Sequence, residues 1–381
     1  MWRNKKLGDI ATFINGKAFK PTDWSDDGLP IVRIQNLTNS INDIHYYKGN
    51  VEDKYKITTG DILISWSATI DVFEWLNGDA VLNQHIFKVV FDKEPIDKNF
   101  FKYLIKQKIR EMLKNVHGST MKHITKGDFD NIEVILPPLE EQKKIARILD
   151  KADEIRTKKR LANDKLDAFL KSTFISMFGD PVSNPNNNKE TTIGEICHFV
   201  KDGPHKSPKY QDRGIPFISV NNIISGKWNF DNVKYISEED HEVFKKRCHA
   251  QKGDILYTKG GTTGFAKYVD IDLEFSNWVH VAVLKFDKAV LNGRFFEAML
   301  NSEYCYKQSQ QYTRGIANRD LVLGQMKMIK LYLPPIEEQN KFAKIVEKVE
   351  EQKQKNEQVI EQMDNLFNSL SQRAFKGGLN D

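Results

Sequence analysis

The chain has 381 residues, 40% of them hydrophobic and 11% aromatic, so it can hold two or three folded domains and is too apolar to be disordered. It has no apolar run of the roughly 18 residues a membrane-spanning helix needs. Its opening, Met1-Trp2-Arg3-Asn4-Lys5-Lys6, lacks the apolar stretch of a signal peptide, so a cytoplasmic location is expected. The net charge of +5 permits an anionic partner without demonstrating one. Cys197, Cys248 and Cys305 lie far apart with no CxxC pair, which fits a reducing compartment and argues against a disulfide framework or a Cys-type zinc site.

In chain order, the first predicted elements are strands. Ile31–Ile34 and Ile62–Ser65 are β-branched runs that follow Pro or Gly-Asp turns, and Ile86–Phe91 has the same character. Phe100–Asn115 has helical spacing. After Pro137-Pro138 about 40 residues run without Gly or Pro, to Gly179-Asp180-Pro181. Proline in the first turn, with Glu140 and Glu141 beside it, suits the positive end of a long helix. Further on, Val279–Phe286 predicts a strand and Gly293–Gln311 a helix. A second long helix starts at Pro334-Pro335 and stops at Gly377-Gly378.

These elements form a repeat. Leu7-Gly8-Asp9-Ile10 returns as Ile193-Gly194-Glu195-Ile196, and Leu29-Pro30-Ile31-Val32 as Ile215-Pro216-Phe217-Ile218, both 186 residues later. Gly60-Asp61-Ile62-Leu63 returns as Gly253-Asp254-Ile255-Leu256 after 193 residues, and Phe100-Phe101 as Phe295-Phe296 after 195. Leu136-Pro137-Pro138-Leu139-Glu140-Glu141-Gln142 returns as Leu333-Pro334-Pro335-Ile336-Glu337-Glu338-Gln339 after 197. The order is kept and the offset drifts slowly, as small loop insertions would produce. The expected fold is therefore α+β. A mixed α/β domain (1–137) and a long helix (138–178) are followed by a second domain (179–334), a second long helix (335–376) and a short tail (377–381).

A heptad pattern runs through both long helices. In the first, Ile148, Ala152, Ile155, Lys159, Ala162, Leu166, Phe169 and Thr173 alternate by four and three. In the second, Ile345, Val349, Gln352, Asn356, Val359, Met363, Leu366 and Leu370 do the same. This predicts a coiled-coil seam, with polar Lys159, Gln352 and Asn356 near its middle fixing register. The other reading is that each helix packs only on its own domain. The shared register favours pairing, and the chain order allows an antiparallel pair with approximate internal twofold symmetry.

The two Leu-Pro-Pro-Leu/Ile-Glu-Glu-Gln helix starts resemble those of the specificity subunits of type I restriction-modification systems. Gln372-Arg373-Ala374-Phe375-Lys376-Gly377-Gly378-Leu379 is similar to that family's last helix end. Asp202-Gly203-Pro204-His205 through Ser219, and Gly253 through Gly261, resemble segments of its target recognition domains. The resemblance implies that two target recognition domains each read half of a split, asymmetric site in double-stranded DNA. It implies that the helices set the half-site spacing and dock two methyltransferase subunits, and through them the restriction (motor) subunits. S-adenosylmethionine is then expected on those partners, with no cofactor and no catalysis on this chain. At ~1.5 Å per residue each helix would span roughly 60 Å, nearly two turns of duplex.

The residues fit that expectation. Both Pro-Pro pairs follow Leu and precede Leu or Ile, unlike the Asn/Asp-Pro-Pro-aromatic loop of an amino-methyltransferase. Gly260-Gly261-Thr262-Thr263-Gly264 lacks the Lys-Ser/Thr of a phosphate loop and predicts a tight β-turn. No HExxH occurs, and no metal site is expected. Arg and Lys read guanine and Asn and Gln read adenine, so such residues in loops and at strand ends are the candidate DNA contacts. In the first domain these are Lys17, Lys20, Arg33, Gln35 and Asn36, with Ser119, Lys122 and His123 in the Gly118 segment. In the second they are Lys206, Lys209, Asn221, Asn222 and Lys259, with Arg314, Asn318 and Arg319 in the Gly315 segment. For each, the competing reading is a solvated charge or a turn-forming side chain. A non-catalytic scaffold whose domains bind protein is the alternative function, favoured by the modest charge.

Overall fold

The computed structural model describes residues 2–38, 40, 43–114, 124–316 and 318–375. They divide into two compact units, Met1–Leu161 with Asn356–Asp381, and Ala162–Lys355. Each long helix is thus shared between the units at its midpoint.

In the first unit, Arg3–Lys6 pairs antiparallel with Glu133–Leu136, closing the domain where its chain enters and leaves. A four-stranded antiparallel sheet follows the order Thr12–Asn15, Ile86–Val90, Ile62–Ser65, Asp71–Glu74. A second sheet runs Tyr46–Tyr47, Leu29–Val32, Ala80–Leu82, Lys56–Ile57, and its central pair, Ile31–Val32 against Val81–Leu82, is parallel. The helix Lys98–Lys114 adds Phe100, Phe101, Leu104 and Ile105 to the core, where Phe13 meets Phe129 edge-on at 4.9 Å.

The second unit repeats this topology. Lys189–Thr192 pairs with Lys330–Leu333. The four-stranded sheet runs Cys197–Asp202, Val281–Phe286, Ile255–Thr258, Ala266–Tyr268. In the smaller sheet Phe217–Ile218 runs parallel to Ser276–Asn277, in the place of the parallel pair of the first unit. All three cysteines are buried and free. Burial pushes the Cys197 and Cys305 thiols up to about 12 and that of Cys248 to about 11. Thiolate is therefore scarce at pH 8. Iodoacetamide is expected to spare all three cysteines in the native chain and to label all three once it is unfolded; rapid native labelling would show that these cores open easily.

Two predicted elements differ in extent. The strand expected over Ile31–Ile34 ends at Val32, because Arg33 caps the short helix Ile34–Leu37. The helix expected over Gly293–Gln311 is two helices, Gly293–Leu300 and Glu303–Tyr312. Asn301 separates them, its amide bonded both ways to the backbone of Ala266 at 2.8 and 2.9 Å, and Ser302 caps the second helix.

The Pro-Pro-x-x-Glu-Gln motif has a structural explanation. The long helices span Leu139–Phe178 and Ile336–Phe375. Gln142 is 1% exposed, donates to the Pro137 carbonyl at 2.9 Å and accepts the Asp97 amide at 2.9 Å. Asp97 in turn caps the domain helix through Phe100 N–H at 2.9 Å. Gln339 repeats this, donating to Pro334 at 2.8 Å and accepting from Asn292 at 2.8 Å, where Asn292 caps the helix Gly293–Leu300. The glutamine is a buried clasp between the start of the long helix and that of the domain helix. The first long helix stops at Gly179, whose φ of +78° ordinary residues avoid and whose missing Cβ makes room for Pro185.

Within each unit the two helices run antiparallel. In the first, Arg156 pairs with Asp364 at 2.8 Å and Lys159 donates to Asn356 at 3.2 Å. In the second, Asp167 pairs with Lys353 at 2.6 Å and Phe174 meets Phe342 edge-on at 5.6 Å. The helices pair, so the reading in which each packs only on its own domain is overturned, although each also packs on its own domain, through Ile145 and Leu149 in the first and Phe342 and Val346 in the second, and on the other one. Phe367 and Phe375 stand against Tyr103 and Phe100 at 5.5 and 5.4 Å, and Phe178 against Phe295 at 4.8 Å.

The predicted seam is half correct. Ala152, Lys159, Leu166, Thr173, Val349, Asn356, Met363 and Leu370 are buried or half-buried. The positions between them are displaced by one residue. Ile148, Phe169 and Leu366 are 37%, 49% and 45% exposed, while their neighbours Leu149, Leu170 and Phe367 turn inward. Gln352 is exposed and Lys353 half-buried; Val346 is buried beside half-buried Ile345. Arg156, Asn163 and Ile360 continue that displaced series and are half-buried, as are the expected Ile155, Ala162 and Val359 beside them. The four-then-three steps run in the opposite order. Arg156, Asn163 and Lys353 look like surface residues in the sequence, and Ile148 and Phe169 look like core. Ion pairs with the opposite helix reverse that appearance for Arg156 and Lys353, and the Arg156 guanidinium also lies 4.6 Å from the Phe367 ring.

Candidate nucleic-acid interface

In the second unit three segments meet at one end of the four-stranded sheet. The first is the turn Gly260–Gly264, joining Ile255–Thr258 to Ala266–Tyr268. Its Gly264 has φ +84°, and a Cβ there would fall 2.0 Å from the Ser309 hydroxyl. The second is Trp278–His280, which leads into Val281–Phe286. The third is a narrow hairpin whose ends, Arg314 and Asp320, exchange two backbone hydrogen bonds of 2.9 Å. Backbone bonds lock the three together. Lys259 donates to His280 at 2.8 Å, Gly261 to Arg319 at 3.0 Å and Leu321 to Lys259 at 2.7 Å. Side chains add to this, with Gln310 donating to the Thr263 carbonyl at 3.1 Å and Arg319 to Gln310. Gly261, Thr262, Thr263, Tyr306, Gln310 and Arg319 line a shallow depression between turn and hairpin.

The first unit builds the same frame with other residues. Trp66 N–H donates to the His85 carbonyl at 3.3 Å and Ile124 N–H to the Trp66 carbonyl at 3.0 Å, matching the Lys259–His280 and Leu321–Lys259 bonds. The turn after Ser65 places Ala68 at φ +56°, a conformation rare outside glycine. The Trp66 and His85 rings lie 5.3 Å apart. Trp66 Nε1 and Gln84 Oε1 are buried without a hydrogen-bond partner among the described residues.

Of the candidate contacts, Arg314, Asn318 and Arg319 are exposed on the hairpin, and Lys20, Lys206, Lys209 and Asn221 are exposed elsewhere. Gln35 is half-buried. Ser119, Lys122 and His123 lie outside the described residues. Three candidates are corrected. Lys259 is buried, its ammonium 2.9 Å from Asp320 and 3.6 Å from Asp202, so it anchors the hairpin from beneath. Asn36 and Asn222 are turn residues in matching places. Asn36 accepts the Arg33 amide at 3.0 Å and donates to the Asp43 carbonyl at 3.1 Å; Asn222 accepts the Ser219 amide at 2.8 Å and donates to the Asn229 carbonyl at 2.8 Å. Lys17 and Arg33 are also occupied. Lys17 bonds the Tyr47 hydroxyl at 3.0 Å over its ring, and Arg33 lies 2.6 Å from His45 Nδ1 and over Trp24.

Sequence reasoning missed Trp66, Gln84, His85, Trp278, His280 and Ile316. None of them is a lysine or arginine, so a search for cationic readers passes over them. The signal was present in the repeat, since His85 and His280 both stand one residue before their strands, 195 residues apart.

Two copies of one α+β domain, each closed by halves of two antiparallel helices and each with matching backbone bonds at the end of its four-stranded sheet, define a duplicated protein. The sequence profile described as "Type I restriction modification DNA specificity domain" matches residues 1–164 and 185–363, and the chain belongs to this family. It is 25% identical to the Type I restriction enzyme EcoBI specificity subunit of Escherichia coli, over 99% of this chain and 86% of that protein. It is 24% identical to the MjaVIII specificity subunit of Methanocaldococcus jannaschii, over 94% and 89%. Among solved structures, the type I restriction-modification S subunit of M. genitalium superposes with a TM-score of 0.55 at 16% identity, covering 98% of this chain and 96% of that one. A chain solved in work on assembly and conformational transition of the type I R-M system gives 0.57 at 16% identity, covering 99% and 98%. These likenesses show the same fold. No helix among the described residues is long and apolar enough to cross a membrane.

Proposed function

We propose that the chain reads a bipartite, asymmetric DNA target for a type I restriction-modification complex, one half-site per unit, and itself catalyses nothing. The observation that carries this reading is the common frame with unlike loops. One hydrogen-bonded scaffold presents Trp66, Gln84 and His85 in one unit, and Gly261, Arg314 and Arg319 in the other. Like frames fit the same polymer, and unlike side chains select different base sequences.

Methyl transfer, with S-adenosylmethionine, belongs in this reading to two partner methyltransferase subunits, and the restriction subunits join through them. The outer faces of the helices suit that docking. Ile148, Leu161, Phe169 and Ile175 on one helix and Leu366 on the other leave apolar surface exposed between charged residues.

The test is methylome sequencing of cells carrying the chain with its methyltransferase. A split motif with unlike halves is expected, and a single contiguous motif overturns the reading. Arg319→Ala is expected to relax one half of the motif by about 1–3 kcal/mol of discrimination and leave the other unchanged. Equal relaxation of both halves would mean that Arg319 holds the fold and does not read a base.

A further inference from the structure

The hairpin Arg314–Asp320 carries at its tip a side chain that the fold does not use. Ile316 is 100% exposed, whereas the other large exposed apolar residues, Leu76 and Val182 at 66% among them, keep part of their surface covered. A scattered apolar residue on a surface needs no explanation, but this one differs in its setting. The stem beneath it is closed by the paired 2.9 Å bonds of Arg314 and Asp320 and is tied to the Gly260–Gly264 turn by Gly261 N–H at 3.0 Å. Asp320 is clamped by buried Lys259. Gly315, at φ +80°, turns the chain so that the tip is narrow. Exposed Arg314, Asn318 and Arg319 surround the isoleucine. The result is a single stiff, β-branched apolar side chain held out on a fixed stem among cations.

Resting on the DNA-reading function above, we propose that Ile316 is a wedge that enters between two adjacent base pairs of the half-site read by the second unit and partly unstacks them. Three features favour a base step as its destination. The exposed Arg314 guanidinium beside it matches a phosphate at the edge of a groove. An apolar side chain gains from leaving water only where it meets an apolar surface, and in duplex DNA that surface is the stacked base faces. The isoleucine side chain, fully exposed, has no polar group to offer a base edge and fits between base planes, while Asn318 and Arg319 beside it suit the edges. The wedge would also lower the cost of the distortion that a methyltransferase imposes when it extrudes its target base.

The experiment uses the complex of this chain with its methyltransferase and a duplex carrying the motif found by methylome sequencing. 2-Aminopurine replaces, one at a time, each adenine other than the methylated ones. Fluorescence is expected to rise at one step in the second unit's half-site. With Ile316→Ala that rise is lost and binding weakens about tenfold, while signals in the other half-site stay the same. Ile316→Phe restores the rise. Because the side chain is fully exposed, Ile316→Ala is expected to leave the unfolding temperature unchanged, so its effect reads contact and not folding. The same fluorescence from Ile316→Ala and wild type at every position, or specific binding by wild type with no unstacked step, overturns the wedge and leaves the DNA-reading function intact. Failure of the wild-type complex to prefer the motif over unrelated duplex overturns that function first.

Discussion

Gln142→Ala is expected to destabilise the first unit by about 2–5 kcal/mol, and Gln339→Ala the second by as much. Each glutamine satisfies a buried carbonyl and a buried amide, and each buried polar group left without a partner costs about 1–3 kcal/mol. Urea unfolding gives the total. Hydrogen exchange shows where it falls: Gln142→Ala should speed exchange in Lys98–Lys114 and spare Gly293–Leu300, and Gln339→Ala the reverse. Gln142→Glu separates the two bonds, since a carboxylate still accepts the Asp97 amide but cannot donate to the Pro137 carbonyl. A loss under about 1 kcal/mol for the alanine variants would mean that water fills the space and completes the bonds.

Removing one heptad from each helix at the same level, residues 159–165 together with 351–357, is expected to shorten the gap between the two half-motifs. Seven residues at ~1.5 Å make ~10 Å, about three base pairs at ~3.4 Å each. The cut keeps the inward series intact, because Arg156 and Leu166 then stand three residues apart and Val349 and Ile360 four, each a step of that series. The half-motifs themselves should not change. Methylome sequencing reads both quantities, and an unchanged gap would show that something other than the helices sets the spacing.

The sequence made the framework legible because repeated backbone needs leave repeated residues. Gly60-Asp61 and Gly253-Asp254, the paired phenylalanines and both Pro-Pro helix starts each satisfy one local demand twice, so the offset finds them. The seam was legible only to within one residue. Apolar periodicity locates a helix face, but at Arg156 and Lys353 the face is polar, and only Asp364 and Asp167 on the opposite helix show why. The candidate contacts were least legible. Asn36, Asn222 and Lys259 have the chemistry of base readers, yet their bonding partners Asp43, Asn229 and Asp202 lie 7, 7 and 57 residues away in the chain. Trp66, Gln84 and Ile316 carry no charge, and their positions at the rim of the sheet come from tertiary structure alone.

The division of the helices also bears on the order in which the protein can mature. The core of the first unit includes Phe367 and Phe375, which leave the ribosome more than 200 residues after the rest of that core, whose last contribution is Ala152. Most of the second unit's core is translated in between, in one uninterrupted stretch, Ala162–Lys355. Domains usually fold in the order of synthesis. Here the earlier domain must wait with an apolar slot open, and the later one can be complete before it. A nascent chain that has emerged as far as Lys355 but not beyond would therefore carry a complete second unit and an unfinished first one, exposed to chaperones and proteases until the rest emerges.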